Sequence, residues 1–108
     1  MRFVRGSQRW GFLDRGDFFS TDQAGLRAQI STAAEAEWEE VAAVLPAGGV
    51  SLHHCLTYHG SHANTSDGPR CSLAVHLRDE RAAPVPGSDN YYVSHLDDPV
   101  YSPVIHDS

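Results

Sequence analysis

Residues 50–78, VSLHHCLTYHGSHANTSDGPRCSLAVHLR, carry the clearest structural pattern in the chain. From Val50 to Tyr58, Val, Leu, His and Leu alternate with Ser, His, Cys and Thr, and a two-residue period returns from Arg70 to Arg78. Such alternation places successive side chains on opposite faces of a strand. The polar loop Gly60–Pro69 joins the two segments, so the sequence predicts two strands that pair antiparallel.

The segment before this pattern allows two interpretations. Asp22–Ile30 can form a short helix. After it, Thr32-x-x-Glu35 has the form of a capping box, and the apolar residues that follow keep helical spacing up to position 45. A strand over Glu39–Leu45 fits the same residues, because helix propensity is a weak constraint that tertiary contacts override. Residues 32–45 are therefore left open between helix and strand.

The two ends of the chain show no long regular element. Met1–Ser20 is rich in aromatic residues and glycine, which indicates a short strand followed by an irregular loop. Arg81–Ser108 is proline-rich and shows no clear periodicity. We expect this segment to form an irregular tail that packs back over the domain.

The composition indicates one small soluble domain. The chain has 108 residues, of which 41% are hydrophobic, and a formal net charge of -6. An acidic chain matches the phosphate backbone poorly, so we expect no nucleic-acid partner. We also expect no membrane span, because no apolar run approaches the roughly 20 residues that one needs. The N-terminal residues lack the apolar core of a signal peptide, so a cytoplasmic location is expected, with Cys55 and Cys71 free and buried.

A group of residues around the predicted loop resembles part of a known active site. His59-Gly60-Ser61 ends one strand, Asn64-x-Ser66 lies in the loop, and Arg70 opens the next strand. We expect Asn64 and Ser66 to bond the backbone of their own loop. Two further segments precede them, the turn Leu45–Val50 and the glycine-bounded segment Gly6–Gly11. In order and spacing, these motifs resemble the phytanoyl-CoA dioxygenase family, whose members are non-haem iron(II) enzymes that use 2-oxoglutarate.

The resemblance implies a mainly β fold. The family fold is a double-stranded β-helix, a cupin-like jelly roll of two facing sheets. We expect an incomplete form of this all-β fold over residues 1–80, with a short helix, and the irregular C-terminal tail over residues 81–108. The implied cofactors are Fe(II) and the cosubstrate 2-oxoglutarate. The implied reaction hydroxylates a small organic substrate while 2-oxoglutarate and O2 are converted to succinate and CO2.

Three residues occupy positions that the family uses for binding. The resemblance makes His59 an iron ligand, which binds through neutral imidazole beside one more histidine and a carboxylate. It makes Arg70 the anchor for the far carboxylate of 2-oxoglutarate, since a planar guanidinium binds a carboxylate through two charge-assisted hydrogen bonds. Ser72 lies two residues further on the same strand face and adds a hydrogen bond. Without this context, a histidine at a strand end and an arginine opening a strand are ordinary surface residues.

One part of the family's iron site has no counterpart in the expected place. The first histidine and the carboxylate come from a His-x-Asp or His-x-Glu segment ahead of Gly6-Ser7, and the residues before this point contain none. His95-Leu96-Asp97 has the right letters but follows Arg70, and we interpret it as coincidence. We therefore expect the chain to be a C-terminal fragment that binds iron weakly and catalyses nothing by itself.

Two other functions fit the same residues. The first is a non-catalytic jelly-roll module that binds or interacts with a partner and has lost the metal site. The second is a small cupin-like metalloprotein that uses His53, His59 and His76 as ligands. Substrate contacts in the family come from regions outside these motifs, so the substrate stays open beyond a small organic molecule.

Overall fold

The computed structural model describes residues 1–13, 15, 20–89 and 91–106. The chain divides into two compact units, Met1–Arg70 and Cys71–Ser108. The first unit contains a small sheet and a helix of three turns. No helix in the described part of the chain has both the length and the apolar character needed to cross a membrane.

The first unit is built on a three-stranded antiparallel sheet. β1 (Arg2–Val4) lies in the middle, with β2 (Glu40–Ala42) on one side and β3 (His59–Gly60) on the other. The strand β1 confirms the strand predicted near the N-terminus. The strand β2 lies within residues 39–45, for which both a helix and a strand were considered. A single sheet does not define the two facing sheets of a jelly roll, so that architecture stays a prediction.

The register assigns each strand residue to one face of the sheet. Phe3 lies opposite both Val41 and His59, and Val4 lies opposite Glu40. Directly opposed residues in an antiparallel pair share a face, and neighbours along a strand alternate. One face therefore carries Phe3, Val41 and His59. The other face carries Arg2, Val4 and Glu40.

The helix α1 (Gln23–Ala34) begins and ends with defined hydrogen bonds. The Asp22 side chain caps it by accepting a hydrogen bond from the Gly25 N–H at 2.9 Å. At the other end, the Glu35 N–H donates to the Thr32 carbonyl, and the next N–H donates to the carbonyl of Ser31. This pattern is a Schellman motif, in which the residue after the helix takes the left-handed conformation. Glu35 does so, with a φ of 50°.

The helix end corrects one interpretation of the sequence. Thr32 does not cap a new helix, because it lies inside α1, and Glu35 ends that helix instead of entering another. The predicted helix over Asp22–Ile30 is confirmed and extends one further turn. A capping box forms only where its Ser or Thr is the residue at which a helix begins. The local sequence does not show whether Thr32 begins a helix or already lies inside one.

Glu35→Gly is expected to stabilise the first unit. A side chain in the left-handed region costs about 1–2 kcal/mol, whereas glycine adopts it freely but loses more chain entropy on folding. The net gain is about 0.5–1 kcal/mol in the free energy of unfolding, measured by urea titration. Glu37→Gly is the control, since Glu37 has a negative φ and the same substitution there is expected to destabilise. Equal changes in the free energy of unfolding for Glu35→Gly and Glu37→Gly would contradict the left-handed conformation of Glu35.

The two longer strands predicted from alternation are wrong. Residues 50–58 contribute to the sheet only through the Tyr58 carbonyl, which accepts from the Val4 N–H at 2.9 Å. Residues 70–78 contain no strand. Ladder hydrogen bonds need a partner, and in the described residues the two segments pair neither with each other nor along their length with β1. The alternating apolar side chains are consequently exposed, with Leu52 at 87% and Leu73 at 89%. Cys55 and Cys71, which were expected to be buried in these strands, are exposed for the same reason.

The buried core of the described residues is small. Val4 from β1 and Ile30 from α1 are each 2% exposed, and Ser7 is 0% exposed. In the second unit, α2 (Tyr91–Ser94) interrupts the tail that was predicted to be irregular. Arg78 reaches the Leu96 carbonyl at 2.5 Å within that unit.

Candidate functional site

A buried serine fixes the end of the segment that leads to His59. Gly6 has a φ of 75°, in the left-handed region that favours glycine. The following Ser7 hydroxyl donates to the Val4 carbonyl at 2.8 Å and accepts from the Tyr58 N–H at 2.9 Å. The Gly6-Ser7 motif therefore ties β1 to the residue that precedes His59.

Ser7→Ala is expected to lower the free energy of unfolding by about 1–2 kcal/mol, because the Tyr58 N–H loses a buried acceptor. Urea unfolding at neutral pH measures this change. Ser66→Ala is the control, since Ser66 is exposed and its hydroxyl bonds within one loop. A Ser7→Ala loss no larger than that of the control would contradict this role for the Ser7 hydroxyl.

His59 has one ring nitrogen fixed by the backbone. Its Nδ1 lies 2.8 Å from the Thr57 carbonyl oxygen, which can only accept. Nδ1 therefore carries the proton in neutral His59, and Nε2 carries the lone pair that a metal would bind. The ring also contacts His53, at 4.7 Å between centroids, and Phe3, at 6.0 Å. This orientation suits a metal ligand through Nε2.

The loop between His59 and Arg70 is held by its own polar side chains. Asn64 Nδ2 donates to the Gly68 carbonyl at 2.7 Å, and Ser66 donates through its N–H and its hydroxyl to Asn64 Oδ1. This confirms the sequence interpretation that Asn64 and Ser66 bond within their loop. At its end, the Arg70 guanidinium donates to Ser61 Oγ at 3.0 Å. Arg70 is thus folded back onto the residues that follow β3.

His59 and Arg70 line the same cavity. It has a volume of about 580 Å³ and lies within the first unit. This volume falls in the range of about 300–1,000 Å³ that is usual for small-molecule sites. His59 also lines a second cavity, of about 360 Å³, together with Cys55. Ser72 belongs to the second unit and is exposed, so its part in cosubstrate binding stays a prediction.

One wall of the larger cavity is an ion-pair network that the sequence did not reveal. Glu40 lies between Arg2, whose Nε is 2.5 Å from Oε2, and Arg27, whose Nη2 is 2.9 Å from Oε1. Trp38 Nε1 donates to the same Oε1 at 2.8 Å. The Glu40 side chain is 15% exposed. The partners come from β1, β2 and α1, which explains why sequence spacing gave no signal.

This environment favours the charged form of Glu40. The pKa of its carboxyl lies below the usual value of 4.5, chiefly because Trp38 donates a hydrogen bond to it. Burial acts in the opposite direction, and the hydrogen bond from Arg2 and the charges of Arg27 and Arg2 lower the pKa further. Glu40 is therefore ionised at neutral pH and compensates one of the two guanidinium charges beside it.

The residues that the structure describes do not fit a complete iron site. They contain no group of three His, Cys, Asp or Glu side chains that could hold a metal ion. His59 can supply one ligand, whereas an oxygenase of this kind needs two histidines and a carboxylate. His95 packs between Tyr91 and Tyr101, and Asp97 pairs with Arg78 at 3.4 Å. The arrangement of three histidines considered above, including His53 and His76, is not supported.

Comparison with known protein families matches residues 1–72 to the family described as phytanoyl-CoA dioxygenase (PhyH). The matched region contains every segment that carries the resemblance, from Gly6–Gly11 to Arg70. No curated protein and no solved structure matches the chain.

Proposed function

Because the chain belongs to the phytanoyl-CoA dioxygenase family, we propose that it supplies part of the active site of an Fe(II)- and 2-oxoglutarate-dependent dioxygenase. The reaction proposed is hydroxylation of a small organic substrate. The observation that supports it is the position of His59 and Arg70, which line one cavity of about 580 Å³. A histidine whose Nε2 lone pair is available and a guanidinium are two of the groups that 2-oxoglutarate and its metal require.

Arg70 has the central role in this proposal. Its guanidinium binds the far carboxylate of 2-oxoglutarate through paired hydrogen bonds, and the Ser61 hydroxyl orients it. His59 is proposed as the iron ligand that this chain contributes, with its Nδ1 proton held by the Thr57 carbonyl. Among the described residues, no group of three His, Cys, Asp or Glu side chains completes the site.

The exposed apolar side chains support the further proposal that the chain is the C-terminal part of a larger domain. Leu52, Leu73 and Val50 are 79–89% exposed, although they follow the alternation of buried strands. Exposed apolar side chains in such a pattern are typical of segments on which another part of a domain packs. Strands from elsewhere in the domain would pair with residues 50–58 and 70–78 and cover these side chains.

A second candidate is a non-catalytic module that binds an organic anion without using iron. It is favoured by one observation, that the described residues contain no three-ligand group. In this case Arg70 and the cavity are retained and no oxidation takes place. Both candidates bind an organic anion, but only the dioxygenase converts a substrate.

Calorimetric titration of the purified chain with 2-oxoglutarate tests what both candidates share. We expect binding, and its absence with and without Fe(II) would overturn both. The reading frame upstream of the Met1 codon then separates them. A continuous frame that encodes His-x-Asp or His-x-Glu, and a longer product that forms succinate until His59→Ala is introduced, supports the dioxygenase. Binding without succinate formation by that longer product supports the module.

A further inference from the structure

The larger cavity carries an excess of positive charge in an acidic protein. The whole chain has a formal net charge of -6, yet three arginines, Arg2, Arg27 and Arg70, line this cavity against the single carboxylate of Glu40. A cleft whose walls carry one sign of charge concentrates ligands of the opposite sign. The cosubstrate proposed above accounts for Arg70 and leaves the other two arginines unexplained.

Arg2 and Arg27 are held in place but not saturated. Glu40 engages Arg2 through Nε and Arg27 through Nη2, and it also accepts a hydrogen bond from Trp38. A guanidinium has five N–H donors, so most donors of both arginines stay available. Their side chains are 41% and 37% exposed, whereas that of Glu40 is 15% exposed. The carboxylate thus fixes two guanidinium groups whose combined charge it half compensates.

One continuous face of the helix α1 lines the same cavity. Gln23, Leu26, Arg27 and Ile30 all line it, and they follow the spacing of one helical face. Ile30 is buried and anchors this face, while Arg27 lies one turn earlier beside the ion pairs. The cavity therefore offers apolar surface next to the two guanidinium groups, a combination that suits an organic anion.

Arg27 lies further from Arg70 than Arg2 does. Arg27 pairs with Glu40 in β2, whereas Arg70 binds Ser61 just after β3, and β1 separates the two strands. Two strand spacings place Glu40 and Ser61 roughly 10 Å apart. Arg2 is in β1 between them and lies opposite Gly60. One small anion held at Arg70 consequently leaves Arg27, with Arg2 beside it, open to a second.

We propose that Arg2 and Arg27 form a second anion site, which binds a carboxylate or phosphate group of the substrate while Arg70 binds the cosubstrate. The assignment of substrate and cosubstrate rests on the proposed function. It narrows the substrate class from a small organic molecule to a small organic anion. Apolar parts of that molecule would lie against Leu26 and Ile30.

The test is titration of the full chain with inorganic phosphate and with butyrate, each in the presence of saturating 2-oxoglutarate. We expect at least one of these anions to bind, and Arg27→Gln to weaken it by about tenfold or more. Arg5→Gln is the matched control, because Arg5 pairs with Glu39 at the surface and does not line the cavity. It is expected to change the affinity less than about twofold. Binding of 2-oxoglutarate by Arg27→Gln shows that the variant is folded.

The outcomes separate the two proposals. Failure of both anions to bind, competition with 2-oxoglutarate for one site, or an unchanged affinity in Arg27→Gln overturns the second site and leaves the proposed function standing. Binding that depends on Arg27 in a chain that does not bind 2-oxoglutarate supports the second site and overturns the proposed function. If Arg27→Gln does not fold, Arg27→Lys takes its place, since it keeps the charge and loses the planar fork. An affinity unchanged by Arg27→Lys then overturns the proposal.

Discussion

Replacing Arg70 with alanine is expected to weaken 2-oxoglutarate binding by roughly 30- to 100-fold. Hydrogen bonds to a charged group contribute about 1.5–3 kcal/mol, and each 1.4 kcal/mol is a factor of ten in affinity. The Arg70 side chain bonds Ser61 at the cavity and is exposed, so its removal should leave the free energy of unfolding nearly unchanged. Calorimetric titration of the purified variant measures the affinity, and urea unfolding measures the stability.

Two further variants test whether the Arg70 guanidinium binds the carboxylate through its paired N–H donors and not through its charge alone. Arg70→Lys keeps the charge but not the paired donors, and we expect it to recover less than half of the lost binding energy. Ser61→Ala leaves Arg70 in place and removes the hydroxyl that orients it, with an expected loss of about twofold to fivefold. The control is Arg5→Ala, which removes an exposed arginine outside the cavity. An Arg70→Ala affinity equal to that of Arg5→Ala would contradict the anchoring role.

The sequence predicted those features that depend on neighbours along the chain. The helix after Asp22 follows from a capping side chain that reaches three residues forward, and the bonds of Asn64 and Ser66 close within one loop. The segment Gly6–Gly11, which contains Ser7, was found through its resemblance to a segment of the family. Only the structure shows that the Ser7 hydroxyl bridges to Tyr58, which lies 51 residues later.

The strand predictions failed for a reason that local sequence cannot supply. Alternation over 50–58 and 70–78 states which side chains would share a face, but a strand forms only where a partner offers its N–H and C=O groups. Within the described residues, β1 pairs with β2 and β3 and extends for three residues, so it offers 50–58 little more than the Tyr58 carbonyl contact. The alternation is typical of half-buried strands, but the described residues do not bury these side chains.

The cavity was partly predictable. The resemblance placed His59 and Arg70 together, and both line the same cavity. The sequence did not single out Arg2, Arg27 and Glu40, because residues of these types are most often solvated surface residues. Their ion pairs join positions 38 and 13 residues apart, from residue 2 to 40 and from 27 to 40. Family motifs do not include these positions, so their contacts emerge only from the fold.

Glu40→Gln is expected to lower the free energy of unfolding by about 1–2 kcal/mol at neutral pH. Breaking a fully buried ion pair costs about 3–5 kcal/mol, and the cost is smaller here because the side chains of Arg2 and Arg27 are 41% and 37% exposed. The substitution leaves Arg2 and Arg27 side by side without the carboxylate between them. Glutamine keeps the size of the side chain and can still accept from Trp38, so the change isolates the charge. Glu39→Gln is the matched control, because the neighbouring Glu39 pairs with Arg5 at a surface where both side chains are more than half exposed, and it should cost less than about 0.5 kcal/mol.

The same variant should change how stability depends on pH. The pKa of Glu40 is lowered in the folded protein, so the charged carboxylate contributes stability that is fully present above its usual value of 4.5. This contribution is lost as the pH falls below 4.5 and through the lowered folded pKa, because the unfolded chain then binds the proton more readily. Urea unfolding from neutral pH down to about pH 3 should therefore show wild type and Glu40→Gln converging at the acid end. A difference between them that stays constant over this range would mean that Glu40 acts through packing, and that Arg2 and Arg27 are positioned by other contacts.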